Sequence, residues 1–77
     1  MAKYARKKDI ESIKYMLTMS LVGYYHVDYS ETEIDGKPDY NIDLRAIPGK
    51  DFPASNLLAY CLTHIRSSYK NIGYTLS

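Results

Sequence analysis

The chain has one cysteine, one phenylalanine and no tryptophan in 77 residues. A lone Cys61 cannot close an internal disulfide, so no covalent staple supports the fold, and a reducing compartment is expected. Four glycines and three prolines are scattered singly, which excludes a Gly-rich phosphate loop, a low-complexity tract and a linker. No apolar run reaches the length of a membrane span, and none near the N-terminus has signal-peptide form. A cytoplasmic protein is therefore expected, in the host cytoplasm if it is viral. The length leaves room for one domain over residues 1–77 with a thin core, not for a cofactor cleft between two lobes.

What is present is ordinary in bulk and uneven in detail. Apolar residues make up 45% and charged residues 25%, which argues against disorder. Nine tyrosines stand out. So does the segregation of charge: residues 1–14 hold five Lys/Arg and two carboxylates, residues 15–43 one lysine and six carboxylates, and residues 44–77 four Lys/Arg and one carboxylate. Such an arrangement can steer a charged partner onto one face.

Periodicity predicts helix, hairpin, helix. In residues 8–22, Ile10, Ile13, Leu17 and Leu21 recur at helical spacing, with Asp9 as N-cap and Gly23 past the end. The β-rich run after Met19 also allows a strand to begin as early as Leu21. Residues 24–34 and 39–47 alternate with period two around Asp35-Gly36-Lys37-Pro38, which predicts a hairpin over 24–47. A four-residue loop pairs Tyr29 with Leu44, whereas a two-residue Asp-Gly loop sets Asp28 against Asp43. Like charges directly opposite are unfavourable, so the four-residue loop is expected. The last helix, 52–72, takes Asp51 as N-cap and Pro53 in its first turn. Its stripe is Leu58, Cys61, Leu62, Ile65, Tyr69 and Ile72, with Gly73 at the C′ position. The fold class is α+β, a small single-layer αββα domain with both helices packed on one face of the hairpin. Two strands alone are marginal. A homodimer pairing along Tyr24–Tyr29 or Tyr40–Arg45 would make a four-stranded sheet.

No constellation points to catalysis. Cys61 and His64 share a helix face, but a tetrahedral metal site needs at least three protein ligands and no others fall at motif spacing. Cys61 is expected in the core, where a thiol is inert. The carboxylates of residues 28–35 do not follow the ligand spacing of a calcium loop. No catalytic residue, metal or cofactor is therefore expected. Tyr25, Tyr29, Tyr40 and Tyr69 are expected to face the core, and Tyr4, Tyr15, Tyr24, Tyr60 and Tyr74 to lie on polar faces or near the ends. Exposed Tyr beside Lys and Arg suits a binding surface. The candidate binding residues are Tyr4, Arg6, Lys7, Lys8, Tyr15, Tyr24, His26, Arg45, Tyr60 and Arg66.

The expected function is a small non-enzymatic protein-binding module that inhibits by occluding a site on a larger protein or nucleoprotein complex. In general character it resembles the small phage proteins that disable host or immune machinery, anti-CRISPR-like inhibitors among them. Two alternatives compete with it. One is a dimeric nucleic-acid-binding regulator making weak phosphate contacts through the basic N-terminus. The other is a sponge for a small anionic ligand, with a dimer pocket built from Tyr, Arg45, Arg66 and Lys70.

Overall fold

The alternation of residues 24–47 becomes a long antiparallel hairpin, and everything else packs against it. A computed structural model describes residues 2–77, with α1 Lys7–Ser20, β1 Tyr25–Ile34, β2 Lys37–Ala46, α2 Ser55–Ser68 and β3 Ile72–Leu76. The α+β class expected from the sequence is what forms, with one strand more than the pattern showed. β3 pairs in parallel with β2, so the sheet order is β1-β2-β3 and β2 is interior. A parallel neighbour requires a crossover connection, and α2 is that crossover.

The hairpin corrects the expected register. Asp35 and Gly36 alone form the loop, both with positive φ (52° and 77°), and Asp28 faces Asp43. Two successive left-handed residues give the turn whose twist matches that of the strands, and Asp-Gly suits it. Three features soften the carboxylate pair. In a two-residue hairpin the rung next to the turn is hydrogen-bonded, and alternation then puts 28/43 on a wide rung. The Lys14 ammonium lies 3.7 Å from Asp28 Oδ1. Asp43 Oδ1 accepts from Asn41 Nδ2 at 2.8 Å. The same alternation puts Pro38 at a rung where its missing N–H loses no bond to β1.

The helices differ from expectation at their ends. α1 starts at Lys7, with Arg6 as N-cap instead of Asp9; Asp9, three residues on, accepts the Arg6 backbone N–H at 2.8 Å. It ends at Ser20, and Gly23 (φ 89°) turns the chain toward β1. α2 begins after Ala54, with no side-chain cap from Asp51, and stops at Ser68 instead of running to residue 72. Beyond it Tyr69 is extended and Ile72 is buried as a strand residue. Gly73 is thus no helix cap. It lies in β3, where an added Cβ would sit 3.3 Å from Asn41 Oδ1.

Alternation decides the two faces of the sheet. Tyr40, Ile42 and Leu44 of β2 are buried beneath the helices, together with Ile72 of β3 and the partly buried Tyr25, Val27, Tyr29 and Tyr74. Ile10, Leu17 and Leu21 come down from α1, and Leu58, Leu62 and Ile65 from α2. The opposite sheet face is polar and uncovered. Each helix leans on its own edge of the sheet, α1 on β1 and α2 on β3, and the two make no comparably close backbone approach to one another. The N-terminal arm closes the structure. Lys3 bridges in parallel to Tyr69, and the buried Asn71 side chain bonds both backbone groups of Ala5.

Candidate functional site

The outer side of the helical layer exposes more apolar surface than the core requires. Tyr15, Met16 and Met19 on α1, Val22 just beyond it, and Leu57 and Tyr60 on α2 are each half or more exposed. Successive helix residues are 100° apart, so Leu57 and Leu58 cannot both face the sheet. Leu58 is buried and Leu57 points out. Between the helices runs a furrow. One stretch, about 230 Å³, is lined by Met16, Leu17, Ser20 and Leu21 on α1 and by Phe52, Leu57, Leu58 and Cys61 on the other side. A second stretch is lined by Ile13 facing His64, Ile65 and Ser68, with Lys3 at its end. The helices therefore flank the furrow antiparallel, the start of α1 beside the end of α2.

Cys61 belongs to this furrow, not to the core. It is exposed, contrary to expectation. The buried stripe of α2 is Leu58, Leu62 and Ile65, one step around the helix. His64, one turn on, is also exposed. Among the described residues no three His, Cys, Asp or Glu side chains come together as a metal site would need, and no helix is long and apolar enough to cross a membrane.

The other candidate residues are dispersed over the surface. Tyr4 sits at the hairpin-turn end, its ring 4.9 Å from the Lys37 ammonium and 4.7 Å from that of Lys70. Nothing in the sequence foretold this cluster, because the three residues are each 33 apart. Asp35 and Asp39 line the same corner and offset the two lysines. Arg6 caps α1, Lys7 and Lys8 form its first turn, and Arg66 lies in the last turn of α2. Tyr24 is half-buried, its ring edge-on to Phe52 at 5.3 Å. His26 faces Arg45 across the open sheet face, in a shallow depression shared with Asp28, Asp43, Thr75 and Ser77. Of the candidates, the structure places Tyr15 and Tyr60 on the exposed apolar side of the helices. Met16, Met19, Val22 and Leu57 complete that surface and were not singled out from the sequence. The adjacent leucines were the available signal.

Strand alternation sends Tyr25, Tyr29, Tyr40 and Tyr74 to the helix side and leaves no tyrosine on the open face, where His26 and Arg45 stand beside Asp28 and Asp43. The Tyr40 phenol is displaced from its ordinary range. Burial pushes its phenol up first, and the Glu31 carboxylate opposite it adds to this. Compared with protein-family models, curated proteins and solved structures, the chain matches none.

Proposed function

We propose that this chain is a non-enzymatic protein-binding module that acts by covering a site on a larger protein, as an inhibitor does. Its gripping surface is the outer face of the helical pair. One observation carries the reading: six large apolar or aromatic side chains stand exposed on the helices and just beyond α1, two of them, Met16 and Leu57, lining the furrow, and α2 carries no carboxylate or lysine. Interface cores are depleted of charge and enriched in Tyr and Met, and contiguous exposed apolar patches mark docking sites. Six such side chains supply an area on the order of the ~800 Å² that each partner contributes to a standard interface.

The test is capture from a lysate with three baits: the unaltered chain, a Met19→Asp/Leu57→Asp variant, and a Thr75→Arg variant on the open sheet face. A protein partner should be recovered with the first and third baits and lost with the second. Both substituted helix residues are exposed, so the fold should persist, which circular dichroism would verify. Recovery by the helix-face variant and loss by the sheet-face variant would overturn the reading. The nucleic-acid alternative has less behind it, since Asp35 and Asp39 share the corner where Tyr4, Lys37 and Lys70 meet. Its signature would be oligonucleotide binding that falls steeply with salt.

A further inference from the structure

We infer that the outer edge of β1, from Tyr29 to Glu33, takes up an extended lysine-rich segment of another protein as a fourth, antiparallel strand. This edge shares no residue with the apolar side of the helices. The Asp35-Gly36 loop makes Ile34 and Lys37 a hydrogen-bonded rung. Even-numbered residues of β1 therefore bond to β2, while Tyr29, Glu31 and Glu33 turn their N–H and C=O groups outward. β1 ends the sheet, so no strand meets them. Among the described residues the Tyr29 N–H is engaged, donating to Asp28 Oδ1 at 2.8 Å, and the remaining outward groups of these three residues have no protein partner.

The helical layer leaves this stretch open. Tyr25, Val27 and Tyr29 are partly buried on the helix side, whereas every residue from Ser30 to Ile34 is exposed. An arriving strand thus reaches the outward groups without displacing a helix. An unpaired edge is a template for an extended segment, with main-chain hydrogen bonds giving affinity and alternate side chains giving specificity. A helical occupant has no free backbone groups to offer such a ladder.

The side chains at the outward positions choose the occupant. Glu31 and Glu33 stand two residues apart on one face of the strand. Among the described residues the ion pairs are Arg6–Asp9 and Lys14–Asp28, and neither glutamate takes part in them. Lys7 and Glu11, one turn apart on α1, act on the nearby Tyr40 phenol with opposite signs, so together they bring Glu31 no net charge. In an antiparallel partner the residues directly opposite Glu31 and Glu33 share a face at i and i+2. Lysine at both gives two cross-strand pairs of opposite charge. The residue between them faces Thr32, where a β-branched side chain packs well. A second copy does not fit, because β1 paired with itself through these groups sets glutamate against glutamate.

The probe is a fluorescein-labelled synthetic peptide that alternates lysine and threonine, with binding read by anisotropy. One control peptide replaces the lysines by glutamates. A second keeps the lysines but carries methyl groups on their backbone nitrogens, which leaves the charge and removes the donors that would meet Glu31 and Glu33. The lysine peptide should bind saturably and slow amide hydrogen exchange at Glu31 and Glu33, with each control weaker by about tenfold or more. Glu31→Gln/Glu33→Gln should weaken binding by about tenfold. Glu33→Pro removes an outward N–H and no bond to β2, so it should weaken binding at least as much while circular dichroism stays unchanged. Met19→Asp/Leu57→Asp should bind the peptide as the unaltered chain does. Equal binding by the methylated control, or binding that leaves both amides unprotected, would mean attraction by charge alone and overturns the added strand. Binding indifferent to Glu31→Gln/Glu33→Gln overturns the choice of occupant, and no binding by any peptide overturns the whole. Loss of binding in Met19→Asp/Leu57→Asp would put the peptide on the helices and overturns it as well.

Discussion

Asn71 is buried, and its amide is used in full. Its Oδ1 accepts the Ala5 N–H at 2.7 Å, and its Nδ2 donates to the carbonyls of Ala5 at 3.0 Å and Pro38 at 3.1 Å. One side chain thus ties the N-terminal arm, the start of β2 and the connection into β3. Asn71→Ala would leave three backbone groups unpaired, and a loss of roughly 3 kcal/mol is expected, at 1–3 kcal/mol for each buried orphan less what water recovers. Urea denaturation measures it; a loss under about 1 kcal/mol would show that water replaces the amide readily. The Tyr40 phenol gives a second prediction at this scale. Its pKa is raised in the folded state, mainly by burial, so folding favours the protonated form. Stability from this group is fully present below the unfolded value of about 10 and is lost as pH climbs through the folded value. Tyr40→Phe should therefore flatten the alkaline fall in melting temperature while leaving the neutral range without that pH trend. An unchanged alkaline limb would place the effect on other tyrosines.

At the scale of elements, the hairpin and both helices were legible because their periodicity is long: two alternating runs around Asp-Gly, and apolar stripes of several turns. β3 was not legible. It has five residues, and Tyr69 and Ile72 continue the helical spacing from Ile65, so the pattern alone cannot show where α2 stops. What stops it is tertiary: Asn71 bonds the arm, and the chain from Tyr69 onward pairs instead of winding. The exposed apolar surface of the helices was half legible. Tyr15 and Tyr60 stood out as aromatic residues off the stripe, whereas Cys61 was misassigned because its helical position lies one step from the true core line. The register follows the turn and not the charges that it sets opposite each other. Cross-strand repulsion amounts to only about 0.2–1 kcal/mol, and the Asp-Gly turn geometry outweighs it. Asp43→Asn removes the charge while keeping an Oδ1 for the Asn41 amide. It should stabilise the protein by a few tenths of a kcal/mol at low salt, with the gain shrinking as salt screens the pair. Comparison of urea midpoints at two ionic strengths checks this; a loss of stability would mean that the Asp28–Asp43 pair is not repulsive in place.

For the whole molecule, the ends of the chain complete the fold. Ala5 meets Asn71 across 66 residues of sequence, and Lys3 exchanges backbone hydrogen bonds with Ser68 and Lys70, both at 2.9 Å. Without β3, the protein would be the two-stranded ribbon under two helices that the sequence suggested, and such a ribbon is marginal in water. β3 supplies the parallel ladder from Tyr40 to Leu44, the buried Ile72, and a second edge for α2 to lean on. A domain of this size has only about 3–5 kcal/mol of net stability. Burying one isoleucine fully contributes about 1.5–3 kcal/mol of that, and the ladder bonds add to it. A chain ending at Asn71 should therefore lose cooperative unfolding, although it keeps both helical sequences and the whole hairpin. The hairpin tip gives the contrast: residues 30–37 are exposed throughout, so Ile34→Thr should leave the urea midpoint nearly unmoved. Near-ultraviolet circular dichroism of the tyrosines, followed through a thermal scan, distinguishes the outcomes. A sharp melt from the truncated chain would mean that α1 and the hairpin fold alone and that β3 only decorates them.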